Sequence, residues 1–161
     1  MTQRDVGARG VAGYLAGTME TIVTTYANTV FELEGLGTLD LRERVGESER
    51  TLLAAAGLHG AFAVLSAFPP FGAARDEARA TLLTHRLRGL IGLHGVPAVP
   101  LLARSPDGSH REPSVAARID EPTALAIARF FEQDALFWFD GERFSIRWTS
   151  SRPTTILPLP A

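Results

Sequence analysis

His110, Arg111 and Glu112 stand side by side, Ser114 follows two residues later, and Gln133 closes the next helical stretch. A carboxylate flanked by an imidazole and a guanidinium is suited to taking a proton as general base, or to orienting a polar substrate. On a strand, successive side chains point to opposite faces, so His110, Glu112 and Ser114 share one face and Arg111 takes the other. A solvated strand end beside a turn explains the same residues with no chemistry at all. Gln133 reads two ways as well, because its amide can hold a ligand or satisfy loop backbone groups. If Glu112, Ser114 and Gln133 converge, they supply donors and acceptors that suit an amide, a nucleobase or a sugar.

Other chemistries are poorly supplied. The chain has no Cys, which excludes disulfides, thiolate catalysis and Cys-based zinc sites. His59, His85, His94 and His110 are far apart in sequence and form no metal-ligand spacing, so no metal is expected. There is no Gly-x-Ser-x-Gly elbow, phosphate-binding loop or dinucleotide fingerprint, and no cofactor is expected. All 16 basic residues are Arg, scattered among 18 acids for a net charge of −2, which argues against a phosphate-backbone footprint. Phe130, Phe131, Phe137, Trp138, Phe139, Phe144 and Trp148 crowd the C-terminal third, either as core or as an aromatic face that stacks a base or docks a partner.

At 161 residues and 45% hydrophobic content the chain can bury one core. Tyr14, Leu15, Met19, Ile22, Val23 and Tyr26 recur at helical spacing, and TVFELE and TLDLR around Gly35 and Gly37 read as a hairpin. Ser48 is placed to cap a short helix that ends near Gly57 or Gly60. AFAVLSAF, residues 61–68, reads as a central strand stopped by Pro69 and Pro70. A helix over 76–93 carries Leu82, Leu83, Leu87, Leu90 and Ile91 on one stripe, with Arg75, Arg79 and Arg86 largely opposite. Strands over 98–104 and 112–119 flank the turn residues Ser105-Pro106-Asp107-Gly108-Ser109. Asp120 and Pro122 open a further helix, and ALFWF and RFSIRW close the domain as a hairpin. Repeated hairpins favour an α+β fold: one domain, a mixed or mostly antiparallel sheet, and three to four packed helices. Residues 1–25 are expected to form an N-terminal helical segment, 26–148 the core, and 149–161 a Pro-containing tail.

The ordered blocks Ala61 to Pro70, Pro106-Asp107-Gly108, Arg111-Glu112-Pro113-Ser114 and Phe130-Phe131-Glu132-Gln133-Asp134-Ala135 to Trp138 resemble the bacterial domain of unknown function 3293, over roughly Tyr26 to Trp148. That family typically has an Ala-Trp-Asn-Pro-like corner, an Asn-bearing helix start, a turn before a Glu-x-Ser strand, and a Phe-Gly-Gln-x-Ala segment. Pro70, Glu112, Ser114, Gln133, Ala135 and Trp138 match it, while Phe68-Pro69 replaces Trp-Asn and Asp76-Glu77-Ala78 lacks the expected Asn. The resemblance implies a small bacterial domain and no reaction. An amide-rich family site would be altered here, which favours binding over catalysis.

The resulting expectation is a small accessory or binding domain whose partner is a protein or a small polar ligand, held by Glu112, Ser114, Gln133 and His110. The alternative is a small hydrolase or transferase with Glu112 as general base and Gln133 and Ser114 positioning the substrate. Nucleic acid is not the expected partner. No apolar run approaches the roughly 20 residues that span a bilayer, and no signal sequence stands out, so a cytoplasmic chain is expected.

Overall fold

The computed structural model describes residues 19–68 and 76–161. Positions 11–18 of the expected first helix, Pro69, Pro70 and Arg75 lie outside these residues. Helical residues 19–27 are the described part of α1. The order continues β1 (Val30–Leu33), β2 (Gly37–Asp40), α2 (Glu47–Ala55), β3 (Phe62–Leu65), α3 (Glu77–Leu93), β4 (Val99–Arg104), β5 (Arg111–Ala117), α4 (Glu121–Phe130), β6 (Ala135–Phe139), β7 (Phe144–Trp148) and β8 (Thr155–Ile156).

The strands form one sheet in the order β2-β1-β4-β5-β3-β6-β7-β8, curled into a half-barrel. Every pairing is antiparallel. The fold is therefore α+β in a single domain. Within the 149–161 segment, β8 pairs with β7 and Leu157 is buried, so this part of the chain extends the sheet.

Strand alternation divides the apolar residues between two cores. Phe31, Leu33, Leu101, Phe62, Val64, Ala116, Phe137, Phe139 and Ile146 face Ala27, Leu53 and Leu58 on one side of the sheet. Ala63, Leu65, Val115, Ala117, Leu136 and Trp138 face Leu87 and Ile91 of α3 and Ala124, Ile127 and Ala128 of α4 on the other. β3 lies between β5 and β6 and is buried at all four positions, as a strand covered on both faces must be. Of the C-terminal aromatics Phe130 alone is exposed, at 74%; the others are core.

Local chemistry sets the boundaries. Asp76 accepts a hydrogen bond from the Arg79 N–H and Asp120 from the Thr123 N–H, each capping its helix. The cap of α2 is Gly46 instead of Ser48. The Glu49 carboxylate reaches back to the Gly46 N–H at 2.8 Å, while the Ser48 hydroxyl is donated to Glu49 itself. Gly37 begins β2 at φ 145°, a conformation that demands glycine, and a Cβ there would also have to displace the Leu52 Cδ1 methyl, 2.7 Å away. On α3, Leu82 does not join the buried stripe: it is half exposed, because Ala80, Leu87 and Ile91 are the residues aimed at the sheet.

Candidate functional site

Where β3 ends, the chain turns through Ser66, Ala67 and Phe68, and the polar residues of interest gather on this corner. Phe62 and Val64 face the first core, so alternation sends Ser66 to that same side. On β5, Ala116 faces that core too, which places Ser114 and Glu112 on the same face, opposite Leu101 and Ala103 of β4. Side chains at the ends of two adjoining strands thus meet.

Glu112 Oε1 accepts a hydrogen bond from the Ser66 hydroxyl at 2.7 Å, and Ser66 Oγ accepts one from the Phe68 N–H at 3.1 Å. That second bond closes a tight Ser66–Phe68 turn just after the end of β3. His110 Nε2 lies 3.7 Å from Glu112 Oε2, within ion-pair range for a protonated imidazole and too far for a hydrogen bond. Ser114 is buried, and its hydroxyl donates to the backbone carbonyl of Glu112 at 3.2 Å.

Gln133 reaches the corner from the other side. Helix α4 closes as a Schellman motif: the Gln133 N–H bonds the Ala128 carbonyl, the Glu132 N–H bonds the Arg129 carbonyl, and Glu132 sits at φ 57°. This turn directs the buried Gln133 amide so that Nε2 donates to the carbonyls of Phe68 and Phe131. The Thr149 hydroxyl secures the same turn by donating to the Gln133 and Asp134 carbonyls at 2.7 and 3.0 Å. Glu112 and Gln133 therefore both contact the three-residue corner 66–68, the first through Ser66 and the second through Phe68.

Two residues join this group that sequence reasoning did not single out. Ser66 is the lone hydroxyl in an otherwise apolar run, and its register with Phe62 and Val64 was the available signal. Tyr26, on α1, packs its ring on Phe137 and Trp148 with centroids 5.5 and 5.6 Å away. Burial pushes its phenol above its ordinary value, and the nearby Glu112 and Asp134 carboxylates push it further in the same direction. The phenol is thus held in its neutral form. Arg152 stacks on the same Trp148 ring, 4.9 Å from its centroid.

Among the described residues no group of three His, Asp or Glu side chains is placed to hold a metal ion, and no helix is long and apolar enough to cross a membrane.

The family model described as protein of unknown function (DUF3293) matches residues 65–136, and over that stretch the chain resembles the family. The match starts at the last residue of β3, just ahead of the corner, and contains Ser66, His110, Glu112, Ser114 and Gln133. No curated protein and no solved structure matches the chain. Two departures from the family's motifs gain a physical reading from the geometry. Glu132 occupies the left-handed position where the Phe-Gly-Gln-x-Ala segment has glycine. Asp76, at the helix start where asparagine was expected, caps α3, a role asparagine fills equally well.

Proposed function

We propose that the chain is a binding domain that takes a small polar ligand at the β3 corner without transforming it. The observation that carries this reading is that the groups able to act as nucleophile or positioning amide are already engaged with the fold. Ser66 Oγ both donates and accepts, Ser114 Oγ is turned to backbone, and the Gln133 nitrogen serves two carbonyls. Glu112 Oε2 keeps acceptor capacity, with only the distant His110 beside it, and the Glu112 side chain is one-quarter exposed. A ligand N–H or O–H donor fits that oxygen, with His110 as the neighbouring polar group. An amide, a nucleobase or a sugar carries such donors.

The experiment is a thermal-shift and NMR titration against representative amides, nucleosides and sugars. A ligand raises the unfolding temperature in proportion to the logarithm of its concentration over Kd, and Glu112→Ala removes the shift while the protein stays folded. Absence of binding in all three classes, or binding that ignores Glu112→Ala, overturns the site.

One contact favours a second reading. A carboxylate 2.7 Å from a serine hydroxyl is the geometry of direct base activation, with Ser66 taking the place expected for Ser114. On that reading the chain is a small hydrolase or transferase. Turnover of a defined substrate that is abolished by Ser66→Ala and by Glu112→Ala, with folding intact, would establish it and displace the binding reading.

A further inference from the structure

Away from the β3 corner, the C-terminal segment folds back across the start of α2 and leaves a cleft of about 620 Å³ between them. Its surface is half polar and half apolar: Leu41, Phe144 and Leu157 are buried behind it, and Val45, Ile156, Pro158 and Leu159 contribute the accessible apolar part. Its rim is charged. Arg44 and Arg50 approach from the α2 side and Arg143 from the β6–β7 turn, together with Glu43 and Glu142. Glu142 is 4.0 Å from Arg143, so those two balance one another. Neither the Arg44 nor the Arg50 side chain has an ion-pair or hydrogen-bond partner among the described residues.

We propose that this cleft binds a small organic anion, with its oxyanion head on Arg44 and Arg50 and a short apolar body along Ile156, Pro158 and Leu159. A guanidinium presents a planar fork of N–H donors that matches a carboxylate or phosphate, and the forks of Arg44 and Arg50 stand at this rim without an ion-pair partner among the described residues, although Glu43 shares the rim. The apolar wall makes a bare inorganic anion a poor fit, because it would leave that surface wet. The volume lies within the range of small-molecule sites. A carboxylate and a phosphate monoester share the required chemistry, and the probes separate them.

The test titrates the full chain with octanoate, octyl phosphate and uncharged octanamide, followed by calorimetry and by NMR shifts at Ile156 and Leu159. At least one of the two anions binds saturably, and the tighter of the two identifies the head group. Arg44→Gln combined with Arg50→Gln weakens that binding about tenfold or more, as expected for losing two charge-assisted contacts. Both arginines are exposed, so the variant keeps its fold. Glu112→Gln leaves the affinity unchanged, which separates this cleft from the corner site. The proposal is overturned if neither anion saturates, if octanamide binds as tightly as the anions, or if the double substitution leaves affinity intact.

Discussion

Gln133→Leu tests whether the β3 corner is held by hydrogen bonds or merely filled. Leucine approximates the glutamine in size and keeps the site filled, but it withdraws both Nε2 donations, to Phe68 and to Phe131. Depriving a buried carbonyl of its donor costs about 1–3 kcal/mol, and the Phe131 carbonyl, at a helix end, falls at the lower end of that range. Together these come to about 3 kcal/mol, and the added apolar burial of leucine returns about 1 kcal/mol. The net loss is about 2 kcal/mol, which for a chain of this size lowers Tm by roughly 4–8 °C. Urea denaturation followed by tryptophan fluorescence measures it, with Trp138 and Trp148 both in the core. Gln133→Glu sharpens the test. A carboxylate facing two carbonyls repels them, whereas its protonated form can donate to one. The Glu variant is therefore least stable relative to wild type at neutral pH and regains ground as the pH falls toward 4. If Gln133→Leu costs under about 0.5 kcal/mol, a typical neutral surface change, and the Glu variant shows no added pH dependence, the hydrogen-bonding argument fails.

Four further outcomes are expected. Glu132→Gly relieves a left-handed side-chain residue and stabilises the protein by up to about 1 kcal/mol in denaturant titration; destabilisation would show that the Glu132 side chain contributes more than its backbone costs. Gly89→Ala, in the middle of α3 with open space where its Cβ would stand, stabilises by about 0.8 kcal/mol, and a loss would mean that face is covered. The exposed Asp107 carboxylate accepts from the Ser109 N–H and from the Ser105 and Ser109 hydroxyls, which holds it at about 2. Its contribution is full above the ordinary Asp value near 4 and is lost as pH falls toward 2; carboxyl NMR giving a midpoint near 4 would refute the turn geometry. The raised Tyr26 phenol contributes stability that is intact below about pH 10 and lost as pH rises beyond it, so of the chain's two tyrosines Tyr26 resists ionisation until unfolding. Phenolate absorbance that lacks a resistant phase, or keeps it in Tyr26→Phe, contradicts this.

Local signals in the sequence were reliable where one residue sets one bond. Asp107-Gly108 makes the β4–β5 turn, Asp120 caps α4, and ALFWF alternates Phe137 and Phe139 against Trp138 as its spacing requires. Features with competing local solutions were not legible. Gly46 is chosen over Ser48 because Glu49 can reach back to it, and no hydroxyl is then needed at the cap. Leu82 fits a helical apolar stripe as well as Leu83 does, and only the line of contact with β5 decides between them. Strand order lies further out of reach, since β3 enters between β5 and β6 by pairings between residues 50 or more positions apart.

The site divides along the same line. Alternation was enough to put His110, Glu112 and Ser114 on one face, and the 3.7 Å approach of His110 to Glu112 follows from it. Register with Phe62 and Val64 gives the face Ser66 takes but not that Glu112 is its partner, and nothing local marks Phe68, 65 positions away in the chain, as the carbonyl that Gln133 serves. These long-range bonds bear on function as well as on fold. A corner held by a carboxylate–hydroxyl pair and a buried amide keeps its polar atoms in fixed positions, and that rigidity lowers the ordering cost of receiving a polar ligand. The same bonds use up the donors that catalysis would need. One residue tells the two uses apart: Ser66→Ala frees Glu112 Oε1 and so strengthens or preserves ligand binding at the corner, whereas a Ser66 nucleophile would make the same substitution abolish turnover.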